Sequence, residues 1–526
     1  MKFILTFTLS FAFILCSAQE TKLRVYFTDK GAQPQLLENT QAFLSEKAIS
    51  RRAKQNIPVT REDLPVAQEY LTQLRDLGFT VHFASRWFNY ALVSGVHWQS
   101  LQSLSFVEKL EVPKQYQVHF AQANQMQSIV YGTARNQIEM LNGQVLHNLG
   151  FTGQGSVVAV LDGGFTGTNT SAAFDSLRAE GRLLGQYNFV NPAIDVYNGG
   201  LHGTLVLSCM AGIIDSAFVG TAPKASYWLL KSENEASETP AEMDNWLAAA
   251  EFADSVGADV INSSLGYSTF DDPSNDFTYQ DMDGNTTLVT RAADKAAQKG
   301  IVVVVSAGNA GNSNWQYITA PADGDSVLTV GAVDAFESYA SFSSQGPTFD
   351  QRVKPDVVAQ GEGSAVVAPN GNLVAANGTS FSSPIMAGLM ACLVQASPSR
   401  SNMDLIQQVR RSSSQYTTPD GLLGYGIPNF GVAYALGQAS LQTTEEWTLE
   451  VYPLPFNDHL HVALQNIQKP QQAQISIRDM RGQEVFSLNE LLEPNQALRL
   501  QPGLPAGFYL LSVKTNQRTF TQKIMR

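Results

Sequence analysis

The chain is 526 residues long, several times the ~150 residues of a typical domain, so more than one domain is expected. Hydrophobic residues make up 44% and charged residues 15%, which fits globular domains and is too apolar for a disordered chain. The 34 Lys+Arg against 47 Asp+Glu leave a net charge of −13, the wrong sign for a nucleic-acid partner. No run of about 18 apolar residues follows the N-terminus, which argues against a membrane-spanning body.

Residues 1–18 read as a targeting segment. Lys2 supplies the positive start, Phe3 to Leu15 form an apolar stretch too short to span a bilayer, and Cys16-Ser17-Ala18 offers small residues for cleavage before Gln19. The protein is therefore expected outside the cytoplasm, with no membrane span once this signal peptide is removed. Only Cys209 and Cys392 remain after cleavage. Both lie in apolar helical stretches and read as buried, inert thiols rather than a bridge or a reactive site.

Residues 19–127 read as a small α+β unit. Val25-Tyr26-Phe27 is a short strand and Leu64 to Leu77 an amphipathic helix stopped by Gly78. Phe79 to Phe83 and Tyr90 to Val93 are β-rich, Trp98 to Val107 is helical, and Leu110-Glu111-Val112 is a last strand. Lys114 to Gln127 looks like a linker. Residues 1–127 carry a net +3, whereas residues 128–440 carry −16; such a pair attracts at long range.

Between 128 and 440, short apolar runs alternate with helical segments. Val157 to Leu161, Tyr227 to Leu230, Val260-Ile261, Ile301 to Val305, Val327 to Val330 and Val357-Val358 are buried-strand candidates. Thr239-Pro240-Ala241-Glu242 is a capping box opening a helix to Val256, and Thr287 to Lys299 is another helix. This alternation predicts an α/β fold with a mostly parallel sheet, helices on both faces, and chemistry at the C-terminal strand ends. From 441 the texture becomes short strands (Leu449 to Val451, His459 to Leu464, Ile475 to Ile477, Phe508 to Val513) split by turns, which reads as a small all-β sandwich.

Between Asn148 and Asp458 His202 is the only histidine, set in Gly199-Gly200-Leu201-His202-Gly203-Thr204 at a helix start, where an imidazole suits catalysis. Asp162 closes the strand Val157 to Leu161, where a buried carboxylate needs a partner. Ser380 lies in Gly378-Thr379-Ser380-Phe381-Ser382-Ser383-Pro384, opening the apolar helix Ile385 to Gln395. Ser382 or Ser383 could cap that helix, and its dipole favours negative charge on a serine oxygen there. Asn309 follows the strand Ile301 to Val305, and its amide can donate to an oxyanion.

Asp, His and Ser in this chain order form one of the known triad arrangements. Together with Val160-Leu161-Asp162-Gly163-Gly164, His202-Gly203-Thr204, Ser263-Ser264-Leu265-Gly266 and Ser306-Ala307-Gly308-Asn309, the sequence resembles the subtilisin-like serine proteases, or subtilases. The resemblance implies a serine endopeptidase acting on polypeptide substrates with no catalytic cofactor. It implies Ser380 as nucleophile, His202 as base and acid, Asp162 orienting the imidazole, and Asn309 with the Ser380 N–H as oxyanion hole. Ser263, Ser264, Leu265, Gly266, Ser306, Ala307 and Gly308 become the substrate-binding edge, with the pocket floor around Ile318 and Thr319. Two departures stand out: Gly163 replaces the usual hydroxyl residue, and Phe381-Ser382 replaces Met-Ala.

The resemblance extends to both ends. Residues 19–127 resemble the family's propeptide, an inhibitor and chaperone, so the chain is expected to be made as a zymogen whose own propeptide is a partner. Residues 441–526 resemble the type IX secretion sorting domain of Bacteroidetes proteins, through Val451-Tyr452-Pro453-Leu454-Pro455-Phe456-Asn457, Asp479-Met480-Arg481-Gly482 and Gly507-Phe508-Tyr509-Leu510-Leu511. Leu454 stands where that family has Asn. Secretion machinery is then a partner, and export across the outer membrane the destination.

Two loops carry acidic groups. Glu233 and Glu235, in Ser232 to Glu238, are candidates for favouring basic substrate side chains, against a solvated acidic loop as the plainer reading. Asp271, Asp272, Asp276, Asp281 and Asp283 form an oxygen-rich loop, and relatives often carry structural calcium. The spacing fits no calcium-loop pattern, since counting back from Gly284 puts Tyr279 at the first ligand position. A solvated acidic loop is the expectation, with structural calcium as the alternative. Two other functions compete with the protease. An α/β-hydrolase would use His459 and needs Gly-x-Ser-x-Gly, which Gly378 to Ser382 lacks. A silent binding protein is disfavoured by all four catalytic positions being filled.

Overall fold

The computed structural model describes residues 22–31, 35–95, 101, 104–111, 123–125, 132–235, 237, 239–442, 448–452, 454–465, 470–480, 482–493, 497–515 and 519–526. The targeting segment with Cys16, His97 and the start of the expected helix at Trp98, His119 and most of the 114–127 linker, Glu238, Pro453 and Arg481 lie outside the described residues.

The N-terminal unit is an antiparallel sheet in the order Thr80–Ser85, Tyr90–Ser94, Lys22–Phe27, Val107–Glu111. The helix expected from Leu64 begins only at Gln68 and ends at Asp76, because Pro65 biases Leu64 away from helical backbone. Val107, expected to end a helix, instead opens the last strand.

A seven-stranded parallel sheet organises the body, in the order Val357–Gln360, Leu328–Val333, Val302–Ser306, Val260–Ser263, Val157–Asp162, Ser226–Lys231, Leu183–Asn188. Alternate residues along each strand enter opposite cores, as the period of two dictates. Val158, Val160, Val302 and Val304 pack with the helices His202–Ala211 and Thr379–Ala396, whereas Val157, Ala159, Val303 and Val305 pack with Ala241–Val256 and Leu288–Gln298. Burial on both faces is why these strands read as unbroken apolar runs. The edge strand Leu183–Asn188 is half exposed and has no such run, so its sequence gave no signal. The helix Thr379–Ala396 is long and apolar enough to cross a membrane, yet it lies almost wholly inside this core. Cys209 and Cys392 are buried and free, with burial pushing both thiols up.

The N-terminal sheet and its helix Glu46–Lys54 dock on the helix Ala241–Val256 through buried ion pairs. Arg24 donates to both oxygens of Asp244 (2.8 and 2.6 Å), and Arg51, Arg52 and Arg86 converge on Asp254. Asp63 meets Lys299 at 2.8 Å. The opposite net charges of the two regions thus become specific contacts.

Residues Gln438–Arg526 form a separate compact unit. It pairs the sheet Thr448–Tyr452, Leu460–Gln465, Leu498–Leu500 with the sheet Glu484–Leu492, Gln471–Asp479, Phe508–Thr515, Thr519–Met525, both antiparallel. Val451, Leu460, Ile475, Leu511 and Ile524 form one core between them, a sandwich as expected.

Candidate active site

Asp162 ends the strand Val157–Asp162 and is fully buried. Its Oδ1 accepts from the Gly163 backbone N–H at 2.8 Å and from His202 Nδ1 at 2.9 Å. A carboxylate on Nδ1 fixes both the ring orientation and the tautomer that leaves Nε2 to exchange a proton. His202 is the first residue of the helix His202–Ala211 and is buried. Burial opposes the imidazolium, but the Asp162 charge, its hydrogen bond and the Glu235 charge outweigh it and hold the His202 pKa above its ordinary value.

Ser380 is the second residue of the helix Thr379–Ala396, which follows Gly378 at φ 147°. Neither Ser382 nor Ser383 caps this helix, because it starts at Thr379, six residues before the apolar run that begins at Ile385. Pro384 sits inside its first turns and has no N–H to give the carbonyl four residues back. That carbonyl belongs to Ser380, and Ser264 Oγ donates to it at 2.9 Å instead. Ser264 Oγ accepts in turn from Asn262 Nδ2, whose side-chain oxygen accepts from Ser383. The Ser380 hydroxyl donates to the Ser264 carbonyl at 3.3 Å. Phe381 packs its ring on the His202 imidazole with centroids 5.9 Å apart, so the serine and histidine helices meet at the site.

Asn309 faces Ser380 across a cavity of about 430 Å³. Its Oδ1 accepts from the Thr379 N–H at 2.8 Å and the Thr379 hydroxyl at 3.0 Å. This pins the amide oxygen and leaves the NH₂ group as the donor toward the cavity. Ser264, Leu265, Gly266, Ser306 and Gly308 line the same cavity. Ser263 and Ala307, expected beside them, do not. Ser263 Oγ accepts from Trp246 on the far side of the sheet, and Ala307 is buried in the core there. Strand alternation turns both side chains away.

Sequence reasoning missed Thr379, Phe381 and Pro384 as supports. All three lie in the quoted motif, yet their partners are remote in the chain. The acidic pair divides. Glu233 is buried, accepts from Tyr267 and Ser232, and is pushed up to about 7 by burial, so it does not face a substrate. Glu235 lies against Gly163 and Gly200, and a β-carbon at Gly200 would collide with its carboxylate. In the acidic loop, Asp272, Asp276, Asp281 and Asp283 each accept from a backbone N–H of their own loop. Among the described residues no three His, Cys, Asp or Glu side chains gather to hold a metal.

Residues 153–426 match the subtilase family. The chain belongs to that family. Residues 22–128 match the peptidase S8 propeptide domain of Bacteroidota, and residues 450–526 match the secretion system C-terminal sorting domain. This subtilase is 31% identical to subtilisin E of Bacillus subtilis over 335 residues, 63% of this chain and 75% of that protein. It is 32% identical to the subtilisin of Bacillus pumilus over 311 residues, 58% of this chain and 99% of that one. A solved structure, MycP1 from the ESX-1 type VII secretion system, matches 61% of this chain and 91% of its own at 22% identity and a TM-score of 0.49. The chain is a serine endopeptidase with a propeptide.

Proposed function

We propose that this subtilase is a secreted endopeptidase made as a self-inhibited zymogen, with Asp162, His202 and Ser380 as its triad. The observation that carries the reading is the 2.9 Å bond from His202 Nδ1 to the buried Asp162. Ser380 at the start of the helix packed beside them supports it. In this mechanism Ser380 Oγ leaves the Ser264 carbonyl and attacks the substrate carbonyl while His202 Nε2 takes its proton. The oxyanion receives hydrogen bonds from Asn309 Nδ2 and the Ser380 N–H, aided by the helix N-terminus. His202 then protonates the leaving amine, and an acyl-enzyme on Ser380 is hydrolysed by water through the same steps in reverse.

In the same reading residues 1–18 are the signal peptide, 19–127 the propeptide, 128–440 the catalytic domain and 441–526 the sorting domain that hands the protein to the secretion machinery. The sorting-domain match supports export across the outer membrane, to the medium or the cell surface.

A fluorescent phosphonate probe, mapped by mass spectrometry on the processed protein, tests the chemistry. Label on Ser380, casein cleavage, and loss of both in Ser380→Ala and His202→Ala are expected. Label elsewhere, or casein cleavage surviving His202→Ala, refutes the triad.

A further inference from the structure

A three-stranded antiparallel sheet leads into Ser380, separate from the seven-stranded parallel sheet. The hairpin of Ser364–Val367 and Leu373–Ala376 supplies two strands, and Ala123–Gln125 supplies the third. Its register pairs Ala123 with Ala376, Asn124 with Ala375 and Gln125 with Val374. These three residues lie between the last strand of the N-terminal unit, Val107–Glu111, and the helix Gly132–Glu139. The triad makes no use of them.

Both edges of the hairpin are closed. On the outer edge the fully buried Gln137, from the helix Gly132–Glu139, accepts from the Ala365 N–H at 3.0 Å and donates to its carbonyl at 3.3 Å. Ser208 Oγ accepts from the Val367 N–H at 2.9 Å. Ala123–Gln125 closes the other edge. If it left with the N-terminal unit, Leu373–Ala376 would become a bare edge, although Val374 and Ala376 are buried. Backbone groups of such an edge need partners. From Ala123 onward the chain is therefore built into the body. Leu373–Ala376 runs toward Ser380, four positions after Ala376. Its partner is antiparallel, so Ala123, the first residue of that strand, sits at the end that leads into Ser380. Four residues span at most about 14 Å and paired strands lie about 5 Å apart. About six extended residues before Ala123 thus suffice to reach the serine.

We infer that Leu373–Ala376 is a main-chain docking strand for the leaving-group side of the self-cleavage site. The chain cuts itself before Ala123, and Ala123–Gln125 stays on this strand in the mature enzyme. The inference rests on the zymogen reading of the same site and places the cut upstream of Ala123 instead of after Gln127. In the step, Ser380 Oγ adds to the carbonyl of the bond, His202 passes the serine proton to the departing nitrogen, and the C–N bond breaks. The amine belongs to the segment leading into Ala123. Water then hydrolyses the ester and leaves a carboxylate on the N-terminal unit. Pairing through the main chain holds the amine product whatever its side chains are.

The test follows freshly purified full chains by intact mass spectrometry, N-terminal sequencing and hydrogen exchange, in wild type, Ser380→Ala and the double variant Ala123→Pro/Asn124→Pro. Of two successive residues in an antiparallel pair, one turns its N–H to the partner, so proline at both removes a ladder donor. The wild-type N-terminus is expected at Ala123 or no more than about six residues before it, and Ser380→Ala stays uncut. The segment Ala123–Gln125 exchanges slowly in both Ser380→Ala and the mature enzyme. The double variant cuts itself about tenfold more slowly or worse, while its mature form cleaves a short fluorogenic peptide as wild type does. Where the double variant does not fold, sequencing and exchange on wild type decide. A mature N-terminus beyond Ala123, fast exchange of Ala123–Gln125 in the mature enzyme, or an unchanged self-cleavage rate in the folded double variant overturns the inference and leaves the zymogen standing. A wild-type chain that takes the phosphonate label yet is never cut between the two units overturns the zymogen reading and this inference together.

Discussion

Asp254 and Asp162 are both fully buried carboxylates of the body, and the molecule treats them in opposite ways. Asp254 is saturated by Arg51, Arg52 and Arg86, all from the N-terminal unit, the latter two at 2.7 Å. Asp162 takes a backbone N–H and the imidazole on a single oxygen, and Oδ2 has no hydrogen-bond partner among the described residues. Each donor spreads a carboxylate's charge, so the saturated one fixes geometry and the sparsely bonded one keeps its field for the histidine. Burial alone does not distinguish the carboxylate of the proposed triad; the number and kind of its donors does.

The largest effect follows from breaking the sparse site. In Asp162→Asn the amide fits the same space but stabilises the wrong histidine tautomer and no longer offsets the imidazolium. Peptidase kcat is expected to fall about 10⁴-fold with KM nearly unchanged. Steady-state kinetics on the processed enzyme checks this, and a loss under about tenfold would remove Asp162 from the triad.

Breaking the saturated site acts on assembly rather than turnover. Asp254→Asn removes the charge that three buried guanidinium groups share, of which Arg52 keeps Asp63 at 3.1 Å, a loss of about 3–5 kcal/mol. Burial already holds the Arg51 pKa below its ordinary value despite that partner. The separately expressed N-terminal unit should then bind and inhibit the processed enzyme at least about 100-fold more weakly, while kcat on a small peptide stays as in wild type. Equal inhibition of both enzymes would show that the ion cluster does not hold the two together.

How much of this was legible in the sequence follows from the same contrast. Asp162 stands directly after an unbroken apolar run, Asn309 four residues after another, and His202 alone at a glycine-flanked helix start, so local pattern pointed to them. Arg51 and Asp254 lie 203 positions apart, and no periodicity links them. The burial of Glu233 was hidden because its donor, Tyr267, comes from another strand end. The Ser263 side chain turns away from the cavity, because successive strand residues face opposite ways. Local signals pointed to the candidate residues, and tertiary partners decide which of their groups remain free.

A smaller effect tests how Ser380, the proposed nucleophile, is held. Ser264→Ala removes the donor to the Ser380 carbonyl, which Pro384 cannot replace, and costs about 1–3 kcal/mol. A melting temperature lower by a few degrees and a modest fall in kcat are expected. Pro384→Ala restores a helical N–H to that carbonyl, so adding Ser264→Ala in its background should cost much less. A double-mutant cycle by calorimetry reads the difference, and simple additivity would disprove the substitution of one donor for another.

The smallest effect concerns the charge that Asp162 and His202, partners in the proposed triad, feel across Gly163 and Gly200. Glu235 is itself held above its ordinary pKa, chiefly by burial and also by Asp162, against the lowering pull of Lys231 and His202. Once ionised, it raises the His202 pKa, adding to the larger contribution of Asp162. A histidine with a raised folded-state pKa adds stability that is full below the ordinary value of 6.5 and is lost as pH rises through the folded value. Catalysis needs the neutral ring, so activity appears over that same rise. Glu235→Gln removes one raising charge, so the acid limb of kcat/KM should move to lower pH. At alkaline pH, where the imidazole is neutral in both enzymes, rates should agree within about twofold. An acid limb that stays in place would mean that solvent screens Glu235 from the triad. Asp162 alone would then set the histidine, and the sparse donor set around that carboxylate would account for the whole electrostatic tuning of the site.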